Sequence, residues 1–106
     1  MDLTTVGEVI AERRFVLVRP DGSNRDVLVS LGKPEPHPGS DTFYCRYQIV
    51  GFKAQRISWA SGVDGFQAIQ LASIKLGLEL VNSQEGQVFW NGELDLGLLV
   101  LEDTNS

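Results

Sequence analysis

Tyr44, Arg46 and Gln48 stand at alternate positions in one short run, and they are the residues best placed to do chemistry. Alternate side chains of an extended chain share a face, so a phenol, a guanidinium and an amide would line up along one side of a strand. Arg56, with Ser58, belongs to the next extended run and is expected beside them. A guanidinium fork can hold a carboxylate or phosphate bidentately, and Tyr with Arg is also the pairing enriched where proteins meet. Tyr44, Arg46, Gln48 and Arg56 are therefore read as a ligand-binding or partner-binding face. The plainer reading is the solvated side of an antiparallel sheet, which carries such residues anyway.

Other chemistries are poorly supplied. His37 is the only histidine and Cys45 the only cysteine, so a metal site would rest on carboxylates, and none stand at ligand spacing. His37 lies between Pro36 and Pro38, where a solvent-exposed ring is expected. Cys45 sits between Phe43 and Tyr47 on the inward side of its run, where a thiol behaves as a small hydrophobe. Nucleophile elbow, phosphate loop and dinucleotide fingerprint are all missing from the sequence. No catalytic residue, metal ligand or cofactor is assigned, and the residues favour a non-enzymatic protein over an enzyme. Carboxylates such as Asp41 and Asp64 could still converge in space.

Fourteen acidic residues against nine basic ones give a net charge of −5. The basic residues are scattered, whereas nucleic-acid binding draws its affinity from clustered Lys and Arg. That partner is disfavoured, and docking to a basic protein suits the charge. A lone cysteine fits a reducing compartment. The start, Met1 to Thr5, lacks the basic and apolar regions of a secretory signal, and no run approaches the ~18 apolar residues of a membrane span. A cytoplasmic protein without membrane contact is expected.

The elements that must position these residues follow from pattern. A chain of 106 residues is the size of one domain, read as residues 1–106 with 1–5 and 102–106 fraying. Alternation predicts strands over about 9–19 and 25–31, joined by the turn Pro20-Asp21-Gly22. Pro34, Pro36 and Pro38 make the next segment a stiff, extended surface loop. Strands over about 42–50 and 55–60 follow, the first with Phe43, Cys45, Tyr47 and Ile49 inward.

A helix is predicted over 61–82 with Ser61 as N-cap. It carries two apolar stripes: Phe66, Ile69, Leu76 and Leu80, then Val63, Leu71, Ile74, Leu78 and Val81. One stripe is usual, so the helix is expected to be covered on more than one side. A strand over 87–90, the hairpin pair Asn91-Gly92 and a return over 93–96 complete the chain. The fold class is α+β: an antiparallel sheet of four strands, one long helix packed on it, and a C-terminal β-hairpin. Trp59 and Trp90 are expected as core anchors. Leu98, Leu99 and Leu101 would either fold back on the second helix stripe or join it in a homodimer interface.

Four segments taken together resemble a family of short bacterial proteins classed as a domain of unknown function. They are Phe15 to Gly22, Tyr44 to Ile49, Gly62 to Ala72, and Trp90-Asn91-Gly92. The resemblance spans most of the chain, implies a compact bacterial α+β domain and supplies no catalytic residue. Family members tend to end in a Leu-Gly-Phe-Pro-like run, where this chain has Leu96-Gly97-Leu98-Leu99. The function expected is a protein-interaction module, such as an acidic partner or an immunity- or antitoxin-type protein. The alternative is a binder of small anions, or an enzyme, using Arg46, Arg56 and Tyr44.

Overall fold

The structure, a computed structural model, describes residues 1–98. Strand β1 (Val9–Val18) and strand β2 (Asn24–Gly32) form an antiparallel hairpin in which Phe15 faces Val27. Its turn is built as the residue types demand. Arg19 O accepts the Gly22 N–H at 2.9 Å, and Asp21 Oδ1 takes the Ser23 N–H and hydroxyl at 2.8 and 2.6 Å. Those two bonds hold the Asp21 carboxyl below the usual carboxylate range.

The proline segment contributes a two-residue strand, β3 (Glu35–Pro36), and β4 (Phe43–Val50) and β5 (Ile57–Gly62) follow. After helix α1 (Gly65–Val81) comes β6 (Gln87–Phe89). The sheet runs β3-β4-β2-β1-β6, with β5 also paired to β4, and every pairing is antiparallel. The fold is thus α+β, one helix on one curled sheet. No helix among the described residues is long and apolar enough to cross a membrane.

Two details of the sheet differ from the sequence expectation. The proline segment is not wholly loop, because Glu35 and Pro36 pair with Tyr44 and Phe43; the short strand lies at the end of the sheet path, where a missing proline N–H costs no ladder bond. The C-terminal hairpin shrinks to one bridge, Trp90 to Glu93, although Asn91 (φ 50°) and Gly92 (φ 79°) form the expected turn. β6 pairs instead with β1, through Val16–Phe89, Leu17–Val88 and Val18–Gln87. Beyond the turn, Leu96 enters the core, which takes the chain off the ladder.

Helix α1 begins later than expected. Asp64, not Ser61, is its N-cap, with extended φ and ψ and a side chain accepting the Gln67 N–H at 2.8 Å. Gln67 Oε1 in turn accepts the Val63 N–H at 2.8 Å. This reciprocal box three residues apart satisfies two N-terminal donors, while Ser61 stays in β5 opposite Tyr44.

The core lies between α1 and one face of the sheet. Phe15, Leu17, Val27, Val29, Cys45, Tyr47 and Ile49 meet Ala68, Ala72, Leu76 and Leu80, with Val88 and Leu96 closing one side. Small residues at 68 and 72 form the contact seam at helical spacing. That seam turns Phe66, of the first apolar stripe, out to solvent, and of the second stripe Val63, Leu78 and Val81 are exposed too. Among the described residues the outer side of the helix is uncovered. Leu98 lies against Gly77 on the helix, and Leu99 and Leu101, expected on this stripe, lie outside the described residues. Trp90 packs on the core, whereas Trp59 does not.

Phe15→Ala should lower stability by about 3–5 kcal/mol, since the ring is almost fully enclosed. Val16→Ala, one residue along on the exposed face, should change it by about 0.5 kcal/mol. Urea denaturation of both variants checks the assignment of faces.

Candidate functional site

Tyr44, Arg46 and Gln48 do share the face of β4 that points away from the helix, opposite Cys45, Tyr47 and Ile49. That face is not solvated. Arg46 is only 4% exposed and Tyr44 8%, because the N-terminal segment crosses over them. Arg46 Nη1 donates to Asp2 O at 2.8 Å and Thr5 O at 2.9 Å, and Nη2 donates to Glu35 Oε2 at 3.0 Å. Arg46 Nε is buried without a partner. The Tyr44 hydroxyl donates to the same Glu35 oxygen at 2.8 Å, and that bond, then burial, raises the phenol above its ordinary pKa.

Two glycines make this crossing feasible. A Cβ at Gly32 would overlap the Val6 carbonyl, and one at Gly7 would overlap the Arg46 guanidinium. Gly7 also has φ 75°, a region only glycine enters freely. Val6 is thereby seated in the core-like cover of the outer face, and residues 1–5, though exposed, are held through their carbonyls.

Sequence reasoning missed two members of this cluster. Glu35 bridges Tyr44 and Arg46. His37, expected free in solvent, is half-buried, with Nε2 2.9 Å from Ser61 Oγ. Its ring lies 4.8 Å from that of Tyr44 and 5.9 Å from that of Trp59. The signal was present in the alternation of Pro34, Pro36 and Pro38: an extended chain there puts Glu35 and His37 on one side.

Arg56 is not part of the set. The register pairs Arg46 with Trp59 and Tyr47 with Ser58, so Ser58, and Arg56 two residues before it, point to the helix side. Gln48 is half-buried, paired with Ser30 and Ile57. Arg56 instead borders an open groove of about 640 Å³ beside the C-terminal half of α1, with Ile49, Phe52, Lys75, Leu78 and Glu79.

Several groups are quiet by environment. Burial pushes the Cys45 thiol up to about 11, and the thiol donates to Gly32 O at 3.2 Å, which removes thiolate character. Burial likewise raises Tyr47, whose hydroxyl donates to Glu79 at 2.9 Å. Among the described residues no three His, Cys, Asp or Glu could hold a metal ion together.

Arg46→Met should cost about 1–3 kcal/mol, the loss moderated because Glu35 keeps partial hydration. Hydrogen exchange should show residues 2–7 released while amides of Phe15 and Leu17 keep their relative protection. A raised thiol pKa stabilises the fold below the unfolded value of about 9 and loses that contribution as pH rises through about 11. Denaturation midpoints should therefore fall above pH 9, and less so in Cys45→Ala, once corrected for that variant's lower stability.

No curated protein and no solved structure matches the chain. A family model does, over residues 11–100, which takes in the helix and all of the sheet but the first two residues of β1, and leaves out the N-terminal segment that crosses Arg46. The chain therefore belongs to the family described as "Domain of unknown function (DUF6968)".

Proposed function

We propose that this protein is a non-enzymatic interaction module that docks a protein partner through the outer face of α1. The observation that carries the reading is a row of apolar side chains left in water: Val63 is 68% exposed, Phe66 80%, Leu78 54% and Val81 67%. Val63 stands just before the N-cap, helical spacing puts Gln67, Gln70 and the half-buried Ile74 among the other three, and no charged residue of α1 falls on that face. A helix that faced only solvent would carry charges opposite its buried stripe, and contiguous apolar surface of this kind marks interaction sites. Lys75 reaches Trp59 O and Glu79 reaches the Tyr47 hydroxyl, both toward the sheet.

The remaining features support the same reading. Tyr44 and Arg46 spend their polar atoms on Glu35 and the N-terminal carbonyls, so they serve as scaffold for the sheet rather than as an open anion site. The buried, neutral Cys45 offers no nucleophile. A net charge of −5 favours a basic partner, and the setting we propose is the bacterial cytoplasm, where an unpaired thiol persists.

A photo-crosslinking residue placed at Phe66, in the cells that make the protein, should give one discrete adduct. The same residue at Arg14, exposed on β1, should give none. Equal labelling at both positions, or none at Phe66, would defeat the proposal; an adduct of twice the chain mass would identify the partner as a second copy.

A further inference from the structure

The exposed row on α1 has a direction. Phe66, Gln70, Ile74 and Leu78 stand at every fourth position, and such a row advances about 40° around a helix at each step. It therefore crosses the outer face obliquely. Phe66 stands in water at one end. Leu78, at the other, is 54% exposed and also forms part of the wall of the open groove that Ile49 and Phe52 line. The apolar face of the helix and the groove are thus one surface, joined at Leu78.

Area says that a partner needs both parts. The exposed apolar side chains of the helix face make a patch on the order of 500 Å², against about 800 Å² per partner in a stable interface. The groove, about 640 Å³ in volume, is the adjoining surface that can supply the difference. Polar groups along it are already engaged within the chain. Glu79 accepts the Tyr47 hydroxyl, Lys75 Nζ donates to Trp59 O, and Glu85 Oε2 accepts the Lys53 N–H, each at 2.9 Å. Ile49, Phe52 and Leu78 are left for an apolar visitor.

We propose that the partner supplies an amphipathic helix, laid along the row from Phe66 to Leu78, which drops one apolar side chain into this groove. The inference rests on docking through the outer face of α1 and names the form of what docks there. A row of every fourth residue is the ridge that fits between the rows of a second helix, crossing at about 50°. A helix following that ridge is carried across the outer face and ends over Phe52. One side chain seated in a pocket at the edge of a flat apolar contact is the usual form of a dominant anchor.

The test uses the intact chain in the cells that make it. A photo-crosslinking residue at Arg56, on the groove wall, should capture the same partner as one at Phe66. Peptide mapping should place the two crosslinked partner residues about 11–15 residues apart on one apolar stripe, the spacing of a helix laid along the row. Ala54 is exposed and lines the groove, so Ala54→Trp fills it without entering the core. That variant should cut the Phe66 adduct about tenfold, and Ala54→Ser should leave it unchanged. An adduct at Phe66 with none at Arg56, or a full Phe66 yield in Ala54→Trp, would overturn the groove anchor and leave docking on the outer face standing. No adduct at Phe66 in the otherwise unaltered chain would end both.

Discussion

A guanidinium cannot be deprotonated to escape burial, so wherever Arg46 goes, acceptors must follow. It sits under the outer face of a sheet at 4% exposure, and its acceptors are two carbonyls of the N-terminal segment and one oxygen of Glu35. The consequences spread outward from those bonds. The segment must cross β2 closely enough that Gly32 tolerates no side chain, and Gly7 must turn with positive φ beside the guanidinium. Glu35 must come to β4, which draws the proline segment into the sheet as a short strand and carries His37 against Tyr44, Trp59 and Ser61.

A second arginine does the same work on the helix side. Arg13 Nη1 donates to Leu96 O and Gly97 O at 3.0 and 3.1 Å, and its guanidinium lies 4.0 Å from the centre of the Trp90 ring, a favourable cation–π placement. Each face of the sheet is thus closed by an arginine gripping the carbonyls of a terminal segment. With both faces of the sheet occupied, Phe66, Leu78 and Val81 of the helix still stand in water. This division of labour leaves Tyr44 and Arg46 as scaffold of the sheet.

Much of the fold was legible in the sequence because it obeys local periodicity. The alternation of Phe43, Cys45, Tyr47 and Ile49, the Pro-Asp-Gly turn, the long helix and the Asn-Gly turn all express propensities that tertiary contacts reinforce. The site was harder to read. Alternation places Tyr44, Arg46 and Gln48 on one face but cannot say what covers that face, because the cover comes from residues some forty positions away and is fixed by two glycines. Arg56 was misplaced because pairing register is set by which residues of β4 and β5 meet, and a shift of one residue moves a side chain across the sheet. The expected cover over both helix stripes differs from what is found because alanines at 68 and 72 count as weakly apolar in a stripe, yet they define the closest approach to the sheet.

The account stands or falls on the buried guanidinium of Arg46. Its side-chain nitrogens can be observed directly by NMR in a protein labelled at arginine. Arg46 should show separately resolved Nη1 and Nη2 resonances, with restricted rotation and slow proton exchange, set apart from the averaged, fast-exchanging signals of exposed Arg14. If Arg46 instead gives a single averaged signal exchanging as fast as that of Arg14, the N-terminal segment does not close the sheet and the scheme built on it is wrong.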